Sequence, residues 1–125
     1  MPILFVAIFA MRAFALQHSC SALPALIVEG DYVIDGVAYR GEEPLRYTPV
    51  YLYSQNKLAR RIVTDADARF LFEHLSHGSY TLNIQGLGSF NIKVVTTGVE
   101  PTRQRQYYSF VRTRDGCLSW GADTN

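Results

Sequence analysis

The chain has 125 residues, which fits one domain, and its 48% hydrophobic and 13% aromatic content is too high for a disordered chain. Its net charge of +1 results from 12 basic and 11 acidic residues. Without Arg12, which lies in the N-terminal leader, residues 16–125 carry 11 of each sign, so the domain has no general electrostatic reason to bind nucleic acid.

The first segment of the chain resembles a targeting signal. Residues 1–11 are almost wholly apolar and precede Ala13-Phe14-Ala15, which is typical of a secretory signal peptide with an A-x-A cleavage site. The run is too short for a transmembrane helix, which needs about 20 apolar residues. A buried strand or an amphipathic presequence is the alternative. We assign residues 1–22 to a signal peptide and short leader; cleavage after Ala15 or Ala22 fits the pattern, and only the first retains Cys20.

Beyond the leader, apolar and polar residues alternate with period two, which is typical of half-buried strands. The predicted strands are 32–39, 48–54, 58–64, 69–73, 79–85, 90–96 and 105–113. Seven short strands separated by turns predict an all-β domain over 23–115, a seven-stranded antiparallel β-sandwich, with an unstructured tail over 116–125. The predicted core is Ile34, Val50, Leu52, Ile62, Phe70, Phe72, Leu75, Tyr80, Leu82, Ile84 and Val94.

The second predicted strand places two tyrosines together on one face. Val50 and Leu52 point one way, so Tyr51 and Tyr53 point the other. Exposed tyrosines on a sandwich stack on sugar rings or dock against a partner sheet. Packing beneath a neighbouring loop is the alternative for both residues.

The last predicted strand combines arginine with aromatic residues. These candidate partner-interface residues are Arg103, Arg105, Tyr107, Tyr108, Phe110 and Arg112. Arginine beside aromatics is typical of interface anchors, because rigid apolar area is combined with a planar set of hydrogen-bond donors. Such a cluster also suits anionic lipid headgroups or, less directly, single-stranded nucleic acid. A solvated edge strand whose charges block aggregation is the alternative.

The two cysteines allow two interpretations. In an oxidising compartment Cys20 and Cys117 could form one disulfide that closes a loop of nearly a hundred residues. Alternatively they stay unpaired, and processing of the leader removes Cys20. Their spacing has no metal-binding signature, so the sequence leaves the pairing open.

Acidic residues and histidines do not form a recognisable catalytic or metal site. Asp65 and Asp67 supply too few ligands for calcium, which needs about six to eight oxygens, and Asp65 is expected to bond to turn backbone. His74 and His77 are expected in a surface loop. No G-x-S-x-G nucleophile motif occurs. The sequence therefore predicts a protein that is not an enzyme, with no catalytic residue, cofactor or metal.

About half of the chain resembles the prealbumin-like domain of the carboxypeptidase regulatory type. The resemblance lies in Gly36-Val37, Gly41-Glu42-Glu43-Pro44-Leu45, Val50-Tyr51-Leu52, Thr64-Asp65 with Phe70-Leu71-Phe72, and Gly78-Ser79-Tyr80-Thr81-Leu82-Asn83-Ile84. It implies the sandwich fold rather than a function. The turn differs from the family at Ala68, where Gly is usual, and this predicts a longer or more strained turn.

Within that fold, the chain is similar to the lumenal-domain family of endoplasmic reticulum membrane protein complex subunit 7. The similar segments are Gly30-Asp31-Tyr32-Val33-Ile34-Asp35-Gly36, residues 70–80 and the basic, aromatic residues 103–108. The resemblance implies a non-catalytic lumenal subunit that supports membrane-protein insertion and folding through contacts with other subunits.

The resemblance also sets an expectation for membrane association. The family continues into a transmembrane helix and a cytosolic tail, which this sequence lacks, so membrane association is expected only through partners or a missing C-terminal anchor. The expected location is the lumen of the endoplasmic reticulum or its membrane. The alternative is a secreted carboxypeptidase regulatory-like accessory module that binds carbohydrate or an enzyme partner.

Overall fold

The computed structural model describes residues 20–29, 33–95 and 106–124, and this part of the chain is all-β with no helix. Its ten strands are β1 (Leu26–Glu29), β2 (Ile34–Arg40), β3 (Glu43–Pro44), β4 (Pro49–Ser54), β5 (Lys57–Val63), β6 (Arg69–Phe72), β7 (Gly78–Ile84), β8 (Gly88–Val95), β9 (Gln106–Arg112) and β10 (Leu118–Thr124). Within these described ranges, no helix is long and apolar enough to cross a membrane.

The strands form two mixed sheets of five strands each. In the first sheet the order is β1-β8-β7-β4-β5, and only the β1–β8 pair is parallel. In the second sheet the order is β10-β9-β2-β3, with β6 also paired to β2, and β2 and β9 run parallel. One apolar core draws residues from both sheets, and the rings of Phe90 and Phe110 meet across it at 4.9 Å.

The predicted core is largely confirmed. The buried members are Ile34, Val50, Leu52, Phe70, Phe72, Leu75, Leu82, Ile84 and Val94. Ile62 and Tyr80 are partly buried and pack against this core. Alternation also places Val50 and Leu52 inward and Tyr51 and Tyr53 outward, as predicted. Period-two patterning identifies these residues because each strand buries one face.

The predicted count of seven strands, all antiparallel, is corrected by the described residues alone, which form ten strands with two parallel pairs. All seven predicted strands occur, with ends shifted by a few residues. The additional strands are β1, β3 and β10. A two-residue strand such as β3 has no period, and strand direction depends on how the chain crosses between sheets, which alternation does not encode.

The two ends of the domain are also corrected. Residues 116–125 were predicted as an unstructured tail, but Leu118–Thr124 pairs along its whole length with β9. The predicted start at residue 23 is too late, because Cys20 forms a disulfide with Cys117, with 5.5 Å between their Cα atoms. The predicted signal sequence before residue 20 lies outside the described residues.

The β1–β10 side of the molecule is closed by covalent and polar links. The disulfide joins the segment before β1 to the start of β10. The indole N–H of Trp120 donates to the Pro24 carbonyl at 3.0 Å. Leu23, Leu118 and Trp120 pack against the core beside these links. The two sheets are therefore linked on this side of the core by contacts other than strand pairing.

Candidate functional site

Two of the aromatic residues predicted as a partner interface on β9 lie in the core. Tyr108 and Phe110 are 2% and 0% exposed, so neither side chain is available to a partner, which corrects that prediction. The physical reason is the position of β9 between β10 and β2, which makes it an inner strand with one face on the core. The candidates Arg103 and Arg105 lie outside the described residues.

The remaining candidates on β9 make contacts within the domain. The Arg69 guanidinium lies 4.5 Å from the centre of the Tyr107 ring, and Arg69 also pairs with the Asp35 carboxylate at 3.6 Å. Arg112 donates from Nη1 to the Leu87 carbonyl at 3.2 Å. The predicted cluster therefore divides into three parts. Tyr108 and Phe110 belong to the core, Tyr107 contacts Arg69 on the second sheet, and Arg112 lies at the end of β9.

The two outward tyrosines of β4 lie on the outer face of the first sheet. Their ring centres are 6.5 Å apart and their planes are tilted by 33°. The guanidinium of Arg61, directly opposite Tyr51 on β5, lies 5.8 Å from the centre of that ring. An arginine and an aromatic ring are thus paired on the outer face of β4 and β5, in addition to the contact between Arg69 and Tyr107 on the second sheet.

Two exposed apolar side chains extend this surface along β5. Leu58 pairs with Tyr53 and Val63 pairs with Pro49, so both occupy outward positions. Leu58 is 53% exposed and Val63 is 48% exposed. We call Tyr51, Tyr53, Leu58, Arg61 and Val63 together the β4–β5 face.

The strands that carry and flank the β4–β5 face are basic, whereas two acidic residues, Asp65 and Asp67, lie in the turn that follows Val63. Strands β4, β5, β7 and β8 contain no aspartate or glutamate, whereas they contain Lys57, Arg60, Arg61 and Lys93. The nearest acidic position in the sheet is Glu29, on the opposite edge strand. An acidic partner surface therefore complements this face electrostatically.

The outer edge of β5 carries backbone groups directed away from the sheet. Thr64 donates its N–H to the Thr48 carbonyl at 2.9 Å. In an antiparallel pair, every second residue counted back from Thr64 therefore directs its backbone N–H and C=O groups towards β4. By the same alternation, the N–H and C=O groups of Arg61 and Val63 point outward from β4. Among the strands of the described residues β5 is the last of its sheet, so the β4–β5 face ends at an open edge.

Arg60 links the two sheets beside the open edge of β5. Its partner on β4 is the buried Leu52, so Arg60 occupies an inward position. Its guanidinium donates from Nη1 to the Glu73 carbonyl and from Nη2 to the His74 carbonyl, the latter at 3.1 Å. Arg60 therefore has a structural role, which separates it from its neighbour Arg61.

A short interruption in the pairing decides which arginine faces outward. Gln55 and Asn56 both have positive φ, 52° and 63°, and form a two-residue hairpin turn between β4 and β5. The register then shifts between Leu52 and Tyr53, so Arg60 faces Leu52 and Arg61 faces Tyr51. Without this bulge, simple counting from the turn would place Arg60 opposite Tyr51.

The acidic turn before β6 is satisfied internally. The Asp65 carboxylate accepts backbone N–H groups from Asp67 at 2.8 Å and from Arg69 at 2.9 Å. These hydrogen bonds, with the one from Arg69 the largest contribution, lower the pKa of Asp65. The carboxylate therefore organises the turn, as the sequence predicted.

The two histidines lie in the loop between β6 and β7. His74 and His77 line an open cleft of about 490 Å³, together with Arg60 and Tyr80. The phenol of Tyr80 donates to the Ser76 carbonyl at 2.7 Å, which fixes this loop on the sheet. In the described ranges, no three histidine, cysteine, aspartate or glutamate side chains are grouped so as to hold a metal ion.

No protein-family model, curated protein or solved structure matches this chain. The alternation of β4 placed Tyr51 and Tyr53 on the face opposite Val50 and Leu52, and the sequence left the pairing of Cys20 with Cys117 open. Leu58, Arg61 and Val63 were not predicted as site residues, because the alternation of β5 carries no signal of the bulge that turns Arg61 and Val63 outward.

Proposed function

We propose that this chain is a non-catalytic prealbumin-like β-sandwich of the endoplasmic reticulum lumen. It acts as a subunit of the endoplasmic reticulum membrane protein complex and supports membrane-protein insertion and folding through protein contacts. The proposal rests on the resemblance of residues 30–36 and 70–80 to the subunit 7 family. The Cys20–Cys117 disulfide is compatible with the oxidising lumen. Since the disulfide needs Cys20, cleavage of the leader is assigned after Ala15.

The β4–β5 face is the observation that carries the protein-binding role. Tyrosine and arginine are the residue types that contribute most to binding energy at protein interfaces, and here Arg61 lies over the Tyr51 ring. Leu58 and Val63 supply exposed apolar area on the same face. We assign this face to docking on an acidic surface of a larger subunit of the complex.

The test is quantitative co-purification from eukaryotic cells that express the chain with its leader. The other complex subunits should be recovered with the wild-type chain. Arg61→Glu reverses the charge at the centre of the face and should lower their recovery by about tenfold or more. Arg46→Glu makes the same charge change in the exposed turn between β3 and β4, outside the β4–β5 face, and is the matched control.

Two outcomes would contradict the proposal. The first is a chain that is free in the medium with no membrane-complex subunit attached. The second is an equal loss of recovery for Arg61→Glu and Arg46→Glu, since a general charge effect would then explain both. Thermal melting of each variant establishes that the fold is retained.

A second candidate function, a secreted module that binds carbohydrate, is favoured by a shallow cleft beside Tyr53. The cleft has a volume of about 380 Å³ and is also lined by Asn56, Thr81, Asn91 and Lys93. A tyrosine ring beside amide and hydroxyl groups suits a sugar, which presents apolar ring faces and hydroxyls. Glycan binding that Tyr53→Ala abolishes, together with secretion of the free chain, would select this function.

A further inference from the structure

Three arginines converge at one end of the molecule, away from the β4–β5 face. Arg40 ends β2 and Arg112 ends β9, and the two residues are direct neighbours in the parallel pairing of these strands. Arg114 follows in the next turn. The three side chains line an open cleft of about 550 Å³, which we call the arginine cleft.

The three arginines outnumber the two carboxylates that line the cleft with them, Glu42 and Glu43. Like charges directly opposite one another on neighbouring strands repel, and opposite charges attract. Arg40 has Arg112 opposite it on β9 and Glu43 opposite it on β3. In the part of the chain that the structure describes, the one ion pair within 4 Å joins Arg69 to Asp35, so the cleft keeps an excess of positive charge without a close ion pair.

The cleft is held in place by the backbone around it. Gly41 donates its N–H to the Arg112 carbonyl at 2.7 Å, which ties the loop after β2 to the end of β9. Thr113 bonds to the Cys117 carbonyl through both its N–H and its hydroxyl, at 2.9 and 3.1 Å. The disulfide at Cys117 anchors the same turn. The turn that carries Arg114 is therefore ordered before any ligand arrives.

The side chains keep hydrogen-bonding capacity for a ligand. A guanidinium has five N–H donors in a planar arrangement that matches phosphate oxygens. Arg112 uses Nη1 for the Leu87 carbonyl, which fixes the direction of its guanidinium and leaves its other N–H groups. The three arginines thus present several donors and concentrated positive charge at one open cleft.

We propose that the arginine cleft binds a phosphate group, either free or carried by a small molecule or a lipid headgroup. A phosphate dianion placed among Arg40, Arg112 and Arg114 removes their mutual repulsion and accepts hydrogen bonds from more than one guanidinium. This site lies on different residues from the β4–β5 face, so it does not depend on the proposed docking function.

The first test is an NMR titration of the chain with inorganic phosphate, with sodium chloride at matched ionic strength as the reference. The amide signals of Gly41 and Gly116, which line the cleft, should shift saturably with phosphate. Arg40→Gln combined with Arg114→Gln should weaken binding by at least about tenfold. Arg61→Gln, on the β4–β5 face, is the matched control and should leave the binding unchanged.

Thermal melting gives a second readout that separates a site from general salt effects. Without phosphate, the Arg40→Gln and Arg114→Gln double variant should melt close to the wild type, because Arg40→Gln removes the repulsion from Arg112 together with the attraction of Glu43. With phosphate, the wild type should gain stability and the double variant should gain less. Non-saturable shifts, or equal effects of phosphate on the wild type and both variants, would overturn the proposal.

Two further probes distinguish between the possible sources of the phosphate group. Glycerol 3-phosphate tests a soluble phosphomonoester, and phosphatidylcholine vesicles with and without phosphatidic acid test a headgroup. Binding to phosphatidic acid vesicles that the double variant loses would assign a lipid headgroup. Binding of the soluble probes alone would assign a free or small-molecule phosphate, and binding of none of them would contradict the site.

Discussion

Phe72 and its neighbour Leu71 occupy opposite faces of β6. Phe72 is 1% exposed and packs edge-on to Phe70 at 6.1 Å, whereas Leu71 is 38% exposed. Phe72→Ala should lower the free energy of unfolding by about 3 to 5 kcal/mol, because it leaves a cavity in the core. Leu71→Ala should cost less than about 1 kcal/mol. Chemical denaturation measures both, and similar losses would contradict the register of β6.

Ala68 carries the backbone strain that the sequence predicted for its turn. Its φ is +62°, a left-handed conformation that costs a residue with a Cβ about 1 kcal/mol or more, and its side chain is buried. Ala68→Gly relieves this strain and should change the free energy of unfolding by less than about 0.5 kcal/mol, or raise it.

Ala38 is the matched control for this substitution. It is equally buried but lies in the extended strand β2, where glycine loses a buried methyl group and adds flexibility to the unfolded chain. Ala38→Gly should therefore cost about 1.5 kcal/mol. Equal costs at Ala38 and Ala68 in the same denaturation experiment would show that the turn is not strained.

At the scale of strands, the open edge of β5 predicts an alternating pattern of hydrogen exchange. The amide protons of Ile62 and Thr64 face β4 and should be protected. Those of Arg61 and Val63 face away from the sheet and should exchange rapidly in the isolated domain. Protection of all four amides would mean that another strand or chain covers this edge.

The sequence predicted which face of an individual strand is buried, but it did not predict properties that depend on how strands pair. Alternation identified the buried faces of β4, β6 and β7, because each strand has one face on the core. It did not predict that Tyr108 and Phe110 are core, because an inner strand rich in arginine and aromatics has the same composition as an interface. The bulge that turns Arg61 outward depends on pairing with β4, which is a tertiary property.

At the scale of the whole molecule, the disulfide should contribute a large share of stability. Cys20 and Cys117 are separated by 97 residues, and constraining so long a loop in the unfolded chain stabilises the fold by about 4 kcal/mol. Total stability of a small domain is about 5 to 15 kcal/mol. A reducing agent should therefore lower the melting temperature markedly.

A variant without the disulfide provides the control for this experiment. The double substitution Cys20→Ser and Cys117→Ser should melt at the temperature of the reduced wild type, and a reducing agent should not change it further. A wild-type melting temperature that is the same with and without the reductant would show that the β1–β10 side is held by packing and by the Trp120 hydrogen bond alone.

The two sides of the molecule are held differently, and this difference underlies the proposed function. The β1–β10 side is closed by the disulfide, and the opposite side ends in the open edge of β5, beside the β4–β5 face. A rigid fold that leaves one aromatic, basic face and edge exposed suits a subunit that works by docking.

The most direct test is site-specific photo-crosslinking in eukaryotic cells, with the crosslinking amino acid at position 58 on the β4–β5 face and, as a control, at position 119 on β10. Mass spectrometry identifies the captured protein. The account predicts a crosslink from position 58 to a larger subunit of the endoplasmic reticulum membrane complex and none from position 119. A chain that is secreted without such a crosslink, or that crosslinks to the complex only from position 119, would contradict it.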